Sequence, residues 1–178
     1  MVCCILNERV IVMKEKEKNE KRIARRHKTC EVFTPRPLVE HMLDKLPGEM
    51  FSENRDFLDT SAGDGHIILV VWLRKIKAGH SHLDALRTCW ATEMMQDNVN
   101  EMKQSVIDAI ASYWKKKYDK AREEDRITDC VAIDAAWRKE IVCATEIMRH
   151  NFVCTKIEDW DYENWRPKRE VASVEQLF

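Results

Sequence analysis

Ten consecutive residues hold the side chains and the backbone freedom best suited to chemistry: Phe57-Leu58-Asp59-Thr60-Ser61-Ala62-Gly63-Asp64-Gly65-His66. An apolar run leads to an acid, then to a turn with two glycines, then to the apolar stretch Ile67–Leu73. The pattern predicts strand, tight turn and helix. Glycine takes backbone angles closed to other residues and lets a ligand approach the main chain, and the first turn of the next helix offers free N–H groups. Two of the four glycines in the chain lie in this turn. A second acid, Glu93, follows the apolar run Thr88–Thr92, where a next strand should end. Strand, glycine turn, helix, strand and acid form the layout of a nucleotide-type site, the acid accepting from ribose hydroxyls. The plainer alternative is a simple strand-to-helix connection.

The elements that must position these residues follow from the rest of the chain. Thr34 and Pro35 suit the N-cap and first position of a helix. Leu38, Val39, Met42, Leu43 and Leu46 recur at helical spacing and predict a buried stripe, stopped by Pro47-Gly48. Phe57–Asp59 is the first strand, Gly65 to about Lys77 a helix ended by Gly79, residues 80–87 a connection with room for a short helix, and Thr88–Glu93 the second strand. Asp97 to about Lys120 reads as a long helix with Val99, Met102, Val106, Ile110 and Tyr113 on one face. Its end, Trp114-Lys115-Lys116-Lys117-Tyr118, reads as a half-exposed face. Residues 121–137 are assigned to helix, Glu140–Thr145 to a third strand and Phe152–Thr155 to a fourth. The fold class expected is α/β, a short, mainly parallel sheet flanked by helices starting near 35, 65 and 97.

Composition sets the outer bounds. The 178 residues are 44% hydrophobic and 34% charged, with a net charge of −1. That length suits one domain or one domain with tails. No apolar run approaches the roughly 20 residues of a membrane span, and no secretory signal is evident. The seven cysteines are scattered without a Cys-x-x-Cys pair; they read as reduced and mostly buried, with no metal site, which points to a cytoplasmic protein. Residues 8–28 carry nine Lys or Arg against four Glu. They form either a solvated helix or a basic arm that tracks phosphates.

These motifs resemble the cofactor half of the S-adenosylmethionine-dependent adenine-type DNA methyltransferases, in particular small phage-encoded members. The resemblance covers residues 31–157. Val32-Phe33-Thr34-Pro35 is similar to the family's Phe-x-Thr-Pro segment, Asp59–Gly65 to its Asp-Pro-x-x-Gly-x-Gly loop, and Glu93-Met94 to the acid and neighbour after strand two. It implies a truncated, Rossmann-like class I methyltransferase fold between a basic N-terminal arm (1–30) and an acidic, aromatic tail (158–178). It also implies an S-adenosylmethionine site made of Phe33, Thr34, Pro35, Asp59, Ser61, Ala62, Gly63, Asp64, Gly65, His66, Glu93, Met94 and Thr145. Thr34 and the loop would surround the amino acid head, Glu93 would take the ribose hydroxyls and Met94 would lie against the adenine. Thr145, with Glu146 beside it, occupies the place of the acid usual after strand three.

The departures bear on catalysis. The family's (Asp/Asn)-Pro-Pro-(Tyr/Phe) signature has no counterpart, because no two prolines are adjacent. The catalytic residues are therefore unassigned, and Thr60 stands where the loop usually has proline. Cytosine-carbon methylation is disfavoured, because no cysteine follows a proline. Three readings stand: a minimal DNA methyltransferase whose site is completed by a homodimer; a degenerate methyltransferase fold that binds cofactor or a host protein, such as a methyltransferase subunit, an anti-restriction or a transcription-related partner; and an interaction module in which the glycine turn is only a turn. If the basic arm contacts DNA, affinity should fall steeply with salt and deletion of residues 8–28 should flatten the slope; salt-independent binding would return the arm to a solvated helix.

Overall fold

The computed structural model describes residues 34–167, within a compact unit that starts at Thr34. Phe33 and the basic arm lie outside the described residues. The order is α1 (Arg36–Leu43), α2 (Glu49–Ser52), β1 (Phe57–Asp59), α3 (His66–Lys77), α4 (His82–Arg87), β2 (Cys89–Glu93), α5 (Gln96–Glu123), α6 (Ile127–Asn151), β3 (Phe152–Cys154), a 3₁₀ turn (Ile157–Asp159) and a hairpin of β4 (Trp160–Asp161) and β5 (Arg166–Pro167). The chain is a mixed α/β fold with a short parallel sheet, as the sequence predicts. Strand order is β1-β2-β3, with Phe57 opposite Cys89 and Ala91 opposite Phe152.

Both crossovers step across the sheet in the same direction. Parallel crossovers are right-handed, so their helices fall on one face. The strand residues of that face, Cys89, Ala91 and Phe152, are buried with Ile68 and Val71 of α3 and Val99, Met102 and Val106 of α5. On the alternate face Trp90 packs edge-on against Trp160 and Trp165 of the terminal hairpin, at ring distances of 6.3 and 5.5 Å. Trp160 is fully buried. The tail thus packs back on the domain through its tryptophans, while Tyr162 stays exposed. Asn151, at the entrance to β3, donates to the carbonyls of Leu86, Arg87 and Cys89, joining the end of α4 to the start of β2.

Four expectations need correction. Glu140–Thr145 is helical, part of α6: Ile141, Ala144 and Met148 follow a helical period with their inner sides on the core. The strand expected at 152–155 is therefore the third. The predicted helix over 121–137 is interrupted at Glu124–Arg126. There the N–H of Arg126 reaches the Ala121 carbonyl and that of Asp125 the Arg122 carbonyl, a Schellman end with Asp125 at φ 54°. The residue there is Asp and not Gly, so the sequence gives no stop signal. In α1 the N-cap is Pro35, with no side-chain cap, rather than Thr34; a residue before proline is held extended. The apolar stripe of α1 is only half buried: Val39 and Leu43 are inside, while Leu38, Met42 and Leu46 are exposed, because the eight-residue helix packs one edge on α3.

The glycine turn is a packing device. Gly65 caps α3 at φ 89°, and a Cβ there would stand 2.4 Å from Met102 Cγ of α5. Gly65→Ala should cost about 2–4 kcal/mol, from left-handed strain plus overpacking. Gly48→Ala, at φ −59° with open space around it, should change stability by less than about 0.5 kcal/mol. Urea unfolding of both variants measures the difference, and equal stabilities would contradict the packing role.

Candidate functional site at the carboxyl edge of the sheet

The three parallel strands end side by side at Asp59, Glu93 and Cys154, with Glu93 opposite Cys154 in register. The turn after β1 is laced to the end of β2. Ala62 N–H donates to the Thr92 carbonyl at 3.1 Å, and the Thr92 hydroxyl donates to the Thr60 carbonyl at 3.0 Å. Glu93 completes the link: one carboxylate oxygen accepts from Gly63 N–H at 2.8 Å and the other from Met95 N–H at 2.9 Å. Its backbone carbonyl accepts from Thr155 N–H at 2.9 Å. Gly63, at φ 54°, takes the left-handed conformation that glycine permits. One glutamate therefore fixes the turns that follow β1 and β2 and, through its main chain, the exit of β3.

Beside it lies a cavity of about 370 Å³, lined by Thr60, Ser61, Glu93, Met94, Thr155, Lys156, Ile157 and Glu158. Met94 is 63% exposed, so its side chain is available to a ligand. Asp59 sits behind the turn. Its Oδ1 accepts from Ser61 N–H at 3.3 Å, and its Oδ2 is buried with no hydrogen-bond partner among the described residues. Burial, and then the nearby Glu93 carboxylate, push its pKa above the ordinary value of 3.8.

The sequence-predicted residues divide between two places. Ser61, Glu93 and Met94 line the cavity; Ala62 and Gly63 lie in the turn after β1, and Asp59 ends that strand. His66 lines a smaller cleft of about 170 Å³ with Arg36, Leu69 and Leu73. Its Nδ1–H donates to the Thr34 carbonyl at 3.3 Å, and its Nε2 lies 3.6 Å from Asp64. Thr34 thus meets the turn through its main chain, with Pro35 beside it. Asp64 and Gly65 are buried beneath the turn. Thr145 is displaced altogether. It is exposed on α6, its hydroxyl donating to the Ile141 carbonyl one turn earlier. Thr155, Lys156 and Glu158 take the position it was expected to fill. The signal for them was the apolar run at 152–154, assigned to one strand too late. Among the described residues no cluster of His, Cys, Asp and Glu could hold a metal, and no helix is long and apolar enough to cross a membrane.

Comparison with protein-family models, curated proteins and solved structures finds no match for this chain.

The environment of Asp59 gives a prediction with a definite sign. A carboxyl whose folded-state pKa is raised binds protons more tightly folded than unfolded. Its stabilising contribution is complete below 3.8 and is lost as pH rises through the folded-state value. Asp59→Asn keeps the acceptor for Ser61 N–H and removes the charge. The variant should be more stable than wild type at pH 7, with the gap closing as pH falls toward 3.8. Urea unfolding across that range checks it, and a pH-independent gap would contradict the electrostatic origin.

Proposed function

We propose that the chain binds S-adenosylmethionine, or its demethylated product, at the carboxyl edge of the sheet, as the cofactor half of a Rossmann-like methyltransferase domain of the DNA-adenine type. The observation that carries this reading is the link from Glu93 to Gly63 beside an open cavity: the acid that ends β2 also fixes the glycine turn that ends β1. Each Glu93 carboxylate oxygen accepts one backbone N–H and keeps capacity for a second donor, as two ribose hydroxyls require. The exposed Met94 side chain suits the face of a purine.

Charge narrows the ligand class. Among the described residues the charged groups lining the cavity are Glu93, Glu158 and Lys156, and Asp59 lies behind the turn. A nucleotide carrying phosphates would meet repulsion there, whereas a sulfonium cation is favoured. Wild-type protein should bind the cofactor in calorimetric titration. Glu93→Ala, removing a charge-assisted hydrogen bond of about 1.5–3 kcal/mol, should weaken binding by about 10- to 150-fold, and Gly63→Val should abolish it. Absence of binding at millimolar ligand would refute the reading.

A second reading, cofactor binding without transfer, is favoured by the tail. Amino-group methylation needs a flipped base stacked in a pocket and its nitrogen held in line with the methyl group. The chain has no adjacent prolines, and Trp160 and Trp165 are committed to Trp90. The isolated chain should therefore show weak or no labelled methyl transfer to duplex or single-stranded DNA. Robust turnover abolished by Asp59→Ala would overturn this.

A further inference from the structure

Helix α6 buries one face and leaves aliphatic side chains exposed on another. One packs into the core through Cys130, Ala144 and Met148. About a third of a turn round the helix, Val131 and Val142 are each 69% exposed, and Ile127 at the helix start is 70% exposed. Val131, Ala135, Arg138 and Val142 are spaced by four, three and four residues, the period of a helix-to-helix seam. Aliphatic side chains at this period along one face of a 25-residue helix offer a seam to a partner helix.

We propose that the occupant is a second copy of this chain, with α6 packed antiparallel on α6 about a two-fold axis. The stripe is self-complementary in that arrangement, as an isologous interface requires. An axis passing between Ala136 and Trp137 sets Val131 opposite the partner subunit's Val142 and Ala135 opposite the partner subunit's Arg138. Arg138 then comes beside the partner subunit's Asp134 on the same side of the seam. Within one chain Arg138 uses Nε for Asp134 at 2.8 Å, and its terminal nitrogens make no hydrogen bond among the described residues. Two such pairs meeting at the axis form an alternating ring of four charges. Parallel packing would instead set Arg138 against its own copy, which like-charge repulsion disfavours.

Sedimentation velocity of the full chain tests this. Wild type should form dimers at concentrations up to about 100 µM. Val131→Glu combined with Val142→Glu should raise the dissociation constant at least about 100-fold, with unchanged circular dichroism because both positions lie off the core. Asp134→Arg or Arg138→Asp alone should weaken the dimer, and the two together should restore it, since the swap recreates the cross-axis pairs. A monomeric wild type, a dimer indifferent to the Val pair, or singles weakened without recovery in the double variant would each overturn the proposal.

Discussion

The carboxylate of Glu93 is the constraint on which the carboxyl edge of the sheet depends. A carboxylate taken out of water is costly unless its oxygens are hydrogen-bonded, and here the donors are backbone N–H groups from two different loops. Turn geometry follows from that requirement. Gly63 must point its N–H at β2, and the left-handed φ that does so is open to glycine. The result is a rim of main chain beside a cavity walled by the short polar side chains of Thr60, Ser61 and Thr155, the longer Lys156 and Glu158, and the apolar Met94 and Ile157.

The same edge gathers negative charge. Among the described residues Asp59 keeps one oxygen buried and unpartnered, and Glu93 adds repulsion. Such an arrangement lowers stability. The rest of the fold supplies the compensation: α3 and α5 bury a continuous aliphatic layer against one face of the sheet, and three tryptophans close the other.

Local signals made much of this legible in the sequence. The glycine turn, the acid after β2 and the helices beginning at Arg36, His66 and Gln96 were readable because periodicity, glycine and proline act over a few residues. What the sequence concealed depends on tertiary context. Residues Glu140–Thr145 form an apolar run that fits a strand or a helix equally well, and only packing of α6 on α5 decides between them. That ambiguity moved the third strand and, with it, the cavity wall from Thr155–Glu158 to Thr145. The α5–α6 break is carried by an aspartate in a conformation usually given to glycine. The second role of Gly65, leaving room for Met102, joins residues far apart in sequence and has no local mark.

We propose that a ligand enters at the rim that Glu93 organises. Amide-resolved nuclear magnetic resonance, with S-adenosylhomocysteine titrated into the full chain, tests this most directly. Saturable shifts are expected at the N–H groups of Gly63, Met95 and Thr155, with little change along α6. Shifts confined to other surfaces, or none at millimolar ligand, would contradict it.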